Sequence, residues 1–267
     1  MKKYIGLWVI ILPALLVLPG ITAPFSDSSP QEKHPLESVP EIMAWKAIRP
    51  AAISPDGAWF GYRLAPSEGD GEVIFRQTQG TQEFRFPDGE AALYASTGRI
   101  AFSEDSHWAA FTVLSKADAA KKLKKEKKDV HNQAALINLA TGKKIEIAEI
   151  KSFAFSGENP GWVVFHKYVP ENQEKEKNKW EGSDLLLYDL QTSRELNLGN
   201  VSEYAFDKAG RWLAWTVDAQ GQSGNGLQIR DMESGVIRTL DSGKAVYKQV
   251  FWTEKGDGLA VLKGTED

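Results

Sequence analysis

The sequence predicts an all-β fold assembled from repeated four-stranded antiparallel units, and three observations lead there. A phrase of ten or eleven residues occurs five times at nearly constant spacing. Within it, large apolar side chains come in pairs three residues apart. Between successive copies lies a second strand-turn-strand pattern.

The copies are "ISPDGAWFGY" from Ile53, "FSEDSHWAAF" from Phe102, "FSGENPGWVVF" from Phe155, "FDKAGRWLAW" from Phe206 and "WTEKGDGLAV" from Trp252, with anchors 49, 53, 51 and 46 residues apart. Each ends one apolar strand, reverses through Ser, Asp, Gly or Pro, and starts another, so each is a hairpin by its turn chemistry. The paired large residues are Trp59 and Tyr62, Trp108 and Phe111, Trp162 and Phe165, and Trp212 and Trp215. Side chains alternate along a strand, so an offset of three sends the two rings to opposite faces, and both faces must be covered. The second hairpin is clearest in "LINLATGKKIEI" from Leu136, "LLYDLQTSRELNL" from Leu186 and "LQIRDMESGVIRTL" from Leu227. There Gly142, Ser193 and Gly235 each follow a polar Asn138, Asp189 or Asp231 by four residues; "VIFRQTQGTQEFRF" from Val73 is a looser version.

Two hairpins per period, stacked face to face, describe the blades of a β-propeller. A β-sandwich also alternates strands with turns, but it does not require one phrase at a fixed period. The expected blades span 45–97, 98–150, 151–201, 202–245 and 246–267. The fifth is incomplete, so about four and a half blades form an incomplete ring, and the chain reads as part of a longer one.

A chain of 267 residues, 42% apolar and 10% aromatic, can bury a large core. Its formal charge of −4 argues against a general nucleic-acid binder, and no nucleic-acid partner is expected. There is no cysteine, which excludes disulfides and a lipid-modified cysteine. Residues 1–23 place Lys2 and Lys3 before an apolar run ending in small residues, the layout of a secretory signal peptide. Tyr4 to Ala23 also has the length of a bilayer span, so an N-terminal membrane anchor is the alternative. The expected location is periplasmic or secreted, without stable membrane insertion once the signal is cleaved. Residues 24–44, with Pro24, Pro30, Pro35 and Pro40 among polar residues, form a flexible leader.

"KADAAKKLKKEKKD", Lys116 to Asp129, carries seven lysines against three acids and falls between the second and third strands of blade two. With no aromatics for base stacking, it reads as a solvated insert, as does "PENQEKEKNK" from Pro170. Catalytic signals are absent from the sequence. No Gly-x-Ser-x-Gly occurs, and "GQSGNG" from Gly221 has the wrong spacing. His34, His107, His131 and His166 are scattered singly, so no metal site and no cofactor is expected. "SEGDGE" from Ser67 lacks the lysine of a phosphate loop and reads as a turn. Of the eight tryptophans beyond the N-terminal run, six stand at or beside blade anchors, where packing accounts for them better than a sugar platform does.

"WKAIRPAAISPDGAWFGYRLAPSEGDGEV", "ALINLATGKKIEIAEIKSFAFSGENPGWVVF" and "VSEYAFDKAGRWLAWTV", in that order, resemble the N-terminal propeller of bacterial prolyl oligopeptidase (S9) family serine peptidases over nearly all of 45–267. The resemblance implies a propeller capping a C-terminal α/β-hydrolase domain that bears Ser, Asp and His. The propeller would act as scaffold and gate, admitting short flexible peptides. That triad lies outside this chain, so no catalytic residue is assigned here and no substrate-binding residue is named. The Asp-Trp-x-Tyr-Glu-Glu-Glu segment of the dipeptide-cleaving branch has no match. The "SPDG" phrase is shared with TolB-type propellers, which gives the alternative reading of a non-catalytic periplasmic protein-binding propeller.

Overall fold

The computed structural model describes residues 45–90, 98–170 and 180–265. The expected signal segment and leader lie outside them. Strands β1 (Lys46–Ile53), β2 (Trp59–Pro66), β3 (Asp70–Gln77) and β4 (Glu83–Glu90) form one antiparallel sheet in chain order. A second comprises β5 (Ile100–Phe102), β6 (Trp108–Val113), β7 (Gln133–Asn138) and β8 (Lys144–Ile147). Next come β9 (Ile150–Phe155), β10 (Trp162–Lys167), β11 (Ser183–Asp189), β12 (Glu195–Phe206), β13 (Trp212–Val217), β14 (Gly226–Asp231) and β15 (Ile237–Ser242). Strands β16 (Val246–Trp252) and β17 (Leu259–Gly264) pair by themselves. Helix α1 (Ala117–Lys125) fills the connection between β6 and β7, where the lysine-rich insert was placed from sequence.

These sheets are propeller blades of four antiparallel strands, and among the described residues they do not close into a ring. One detail departs from the repeat. Blades three and four are joined as a single seven-stranded sheet because β12 serves both. Its first part pairs with β11 through Leu198, its last part pairs with β13 through Phe206, and Val201 pairs with both Ser183 and Val217. The link is too short for a loop. Asn200 instead takes a left-handed conformation, φ 55°, that redirects the chain within one strand.

The paired rings face opposite ways, as the offset of three requires. Phe111 is buried between blades one and two with Trp59, Val73 and Phe75, whereas Trp108 packs on the other side of its strand against Phe153, Val163 and Phe165. One blade later Phe165 faces back, while Trp162 packs forward with Leu187, Leu213 and Trp215. Ala214, Leu227, Tyr247 and Val250 then join blade four to the last pair of strands. Burial of apolar surface between blades is thus the main stabilising term, each large side chain contributing about 2–3 kcal/mol.

The recurring polar turn also has a cause. In each phrase, one side chain accepts a hydrogen bond from the amide that opens the next strand. Ser54 Oγ accepts from Trp59 N at 2.9 Å, Ser103 Oγ from Trp108 N at 2.9 Å, Ser156 Oγ from Trp162 N at 3.2 Å, Asp207 Oδ1 from Trp212 N at 2.7 Å and Thr253 Oγ1 from Gly258 N at 3.0 Å. Only an oxygen-bearing side chain at that point satisfies this amide, so Ser, Asp and Thr alternate there.

The second hairpins share one turn as well. Asn138, Asp189 and Asp231 each accept from two following amides through Oδ1, while their carbonyls accept from Gly142, Ser193 and Gly235. Those three residues have φ of 72°, 58° and 74°, a region that favours glycine.

Candidate functional site

Because strands alternate in direction, the recurrent turns lie on one face of the blades. The connections β2–β3, β6–β7, β10–β11 and β13–β14, with the links between blades, lie on the other. On this second face a cavity of about 450 Å³ opens between blades two and three, lined by His131, Glu149, Lys167, Tyr168, Ser183, Asp184 and Asn200 among others. The His131 and Tyr168 rings stack, with centroids 4.2 Å apart and planes 4° from parallel. Tyr168 N donates to the Glu149 carbonyl at 3.0 Å, fixing the aromatic wall to the blade link.

Beside this cavity the fold brings together two residues that the sequence leaves apart. Ser183 Oγ lies 3.0 Å from His166 Nε2, and His166 is almost fully buried. A serine–histidine contact invites a catalytic reading, and the geometry refuses it. His166 Nε2 also lies 2.8 Å from the Val201 carbonyl, which can only accept, so Nε2 carries the proton. A nitrogen already protonated cannot take the proton of Ser183. That proton has its own acceptor, the Lys167 carbonyl 2.7 Å away. Burial holds the imidazole pKa below the ordinary histidine value, with the Lys151 charge adding to the effect and the Val201 hydrogen bond opposing it. The pair is a joint between β10, β11 and β12 rather than a nucleophile and base.

His166 belongs to a series. The residue four after each anchor tryptophan is Arg63, Thr112, His166 or Thr216, a polar side chain inside an apolar strand. Arg63 and Asp88 form an ion pair with both side chains fully buried. Arg63 Nη2 donates to the Thr112 carbonyl at 2.8 Å, and Asp88 Oδ1 accepts from Leu114 N at 2.7 Å, so the pair binds blade one to blade two. Burial pushes the Asp88 carboxyl up despite the opposing Arg63 charge. Farther along, Asn225 Nδ2 donates to Asp218 Oδ1 at 3.1 Å and to the Ala245 carbonyl at 2.9 Å.

A second polar series links the first strands of successive blades. Arg99 Nη1 donates to the Phe153 carbonyl at 2.9 Å, Ser152 Oγ meets Tyr204 OH at 3.1 Å, and Glu203 Oε2 accepts from Gln249 N at 2.7 Å and from Val250 N at 3.2 Å. Each donor or acceptor stands three residues before its blade anchor. Pro50, at that place in blade one, has no such group.

The histidines singled out from sequence do not converge. His107 lies in a turn, bonded to Asp105, His131 lines the cavity, His166 sits in the joint, and His34 is outside the described residues. Among the described residues no group of three His, Cys, Asp or Glu could hold a metal ion. The anchor tryptophans are engaged in packing: Trp59 and Trp215 are buried, and Trp252 Nε1 donates to the Ala205 carbonyl at 3.0 Å. Periodicity alone missed both polar series. The signal that would have found them is a polar residue at a constant offset from the anchors.

No protein-family model matches the chain, and no curated protein does. Among solved structures it is similar to a prolyl endopeptidase, at 16% identity and a TM-score of 0.47, over 84% of this chain and 33% of that one. It is also similar to the β-propeller domain of the Trilobed protease from Pyrococcus furiosus, at 11% identity and 0.44, over 83% and 70%. A third likeness is to TolB from Acinetobacter baumannii, at 11% and 0.37, over 82% and 56%. The chain spans about a third of the length of the prolyl endopeptidase. The class of the described residues, a β-propeller, rests on sheet order and on the cores between blades.

Proposed function

We propose that this chain is the propeller portion of an exported prolyl oligopeptidase-type serine peptidase, a scaffold that limits by size which peptides reach a catalytic domain elsewhere in the longer protein. The observation that carries the reading is the ordered set of blade phrases that resemble that family, now seen to build successive four-stranded blades. The propeller selects sterically, and the chemistry, acyl transfer from a serine, belongs to the other domain. In this reading the chain is inactive by itself, which is supported by the Ser183–His166 contact having both protons committed to backbone carbonyls.

The test has two arms. The coding sequence beyond Asp267 is expected to contain Gly-x-Ser-x-Gly followed by Asp and His; further blades and a stop codon would favour a binding propeller instead. The purified chain is expected to hydrolyse neither peptide nor ester substrates and to take no label from a fluorophosphonate. Turnover that such a probe abolishes would overturn the inactive-scaffold reading.

A further inference from the structure

Helix α1 is short and strongly two-sided. Ala117 is buried, and its amide donates to Asp70 Oδ1 of blade one at 2.8 Å, which fixes the start of the helix to the body of the protein. Ala120 and Leu123 are half-buried on the inner side. Lys121, Lys122, Lys124 and Lys125 are exposed, and among the described residues none of the four forms an ion pair. Asp118 in the first turn and lysines in the last complement the helix dipole, which explains why the helix is stable. It does not explain seven lysines within fourteen residues of a chain whose formal charge is −4.

We propose that α1 is an electrostatic docking surface for an anionic lipid bilayer. The residue chemistry selects this partner over an acidic protein. The segment Lys116 to Asp129 contains no arginine and no aromatic residue, the types that anchor shape-specific interfaces. Its outer side bears compact point charges on flexible stems. Such a surface senses charge density rather than geometry, and a fluid layer of anionic headgroups asks for nothing more. The inner apolar side is already packed on the blade, so the helix lies against the headgroups without inserting.

The experiment uses the full chain with vesicles of phosphatidylcholine alone or with 30% phosphatidylglycerol, read by co-sedimentation. The N-terminal run carries Lys2 and Lys3 and also attracts anionic headgroups, so the part owed to α1 is the difference between the chain and its lysine variant. The expected result is a preference for the anionic vesicles that fades as salt rises from about 50 to 300 mM. The triple variant Lys121→Gln, Lys122→Gln, Lys125→Gln should lower that preference more than tenfold, from roughly 1 kcal/mol per lysine at a bilayer surface. Glutamine keeps the helix propensity, and an unchanged melting temperature confirms the fold. The corresponding triple arginine variant should keep the preference. Equal binding to both vesicle types would overturn the proposal, as would a triple glutamine variant whose preference for anionic vesicles equals that of the wild type. So would capture by soluble polyglutamate without any vesicle preference, which would mark a protein-binding surface.

Discussion

Replacing Asp88 by alanine removes one half of an ion pair whose two side chains are both fully buried. The carboxylate binds the Arg63 guanidinium through Oδ2 and accepts Leu114 N through Oδ1, so the change strips a buried charge of its counter-charge and a buried amide of its acceptor. A broken buried pair costs about 3–5 kcal/mol, because the remaining ion keeps its desolvation penalty and loses the attraction that offset it. For a domain of this size each kcal/mol moves the melting temperature by about 2–4 °C, so Asp88→Ala should melt about 10 °C lower. Urea unfolding followed by tryptophan fluorescence should give the same loss as a lower midpoint at constant slope. The double variant Arg63→Met, Asp88→Leu removes both charges and should recover most of the stability, since an apolar pair of similar volume is often as good as a buried salt bridge. A loss below about 1 kcal/mol for Asp88→Ala would refute the claim that this pair joins blades one and two.

Three further outcomes follow from the same geometry. Trp215→Ala should cost about 3–5 kcal/mol, as the ring is 1% exposed between blades three and four, whereas Trp212→Ala on the other side of the strand, only partly buried, should cost about 1–2 kcal/mol; chemical denaturation separates the two. Gly142→Ala should lose about 2 kcal/mol, because its φ is 72° and an added Cβ would come 2.4 Å from the Phe84 ring, while Ser193→Gly at the equivalent turn should gain about 0.5 kcal/mol in a thermal melt. Below pH 6.5, the ordinary histidine value, the unfolded chain takes a proton that buried His166 refuses. The stability from His166 is therefore full above that pH and is lost progressively as pH falls toward the lowered folded pKa, by up to about 1.4 kcal/mol at pH 5.5. Comparing urea midpoints of the wild type and His166→Asn at pH 7.5 and 5.5 isolates this part, and parallel pH curves would contradict it.

The blades were legible because their cause is periodic. A phrase such as "FSEDSHWAAF" records a strand end, a capping oxygen, a reversal and two rings on opposite faces, all set by neighbours a few residues away. The Asn138, Asp189 and Asp231 turns were legible for the same reason. What stayed hidden depends on partners far along the chain. Arg63 meets Asp88 and Thr112, His166 meets Val201, and Arg99 reaches Phe153, none of which a strand pattern encodes. Strand β12 was divided by the repeat and proved continuous, because Asn200 in a left-handed conformation lets one strand serve two blades without a loop. The cavity next to His131 and Tyr168 was invisible because its walls come from two blades and the links that follow them.

The central claim is that sheets consecutive in the chain stand face to face. The chain has no cysteine, so introduced thiols report on it without background. Asp56 N and Ser106 Oγ lie 3.2 Å apart across blades one and two, and Glu158 N donates to the Lys208 carbonyl at 3.1 Å across blades three and four. The pairs Asp56→Cys with Ser106→Cys and Glu158→Cys with Lys208→Cys should each be joined within one molecule by a short bifunctional thiol reagent. Asp56→Cys with Lys208→Cys, three blades removed, should not be. Efficient linkage of that distant pair, with failure of the two neighbouring ones, would contradict the stacked-blade architecture.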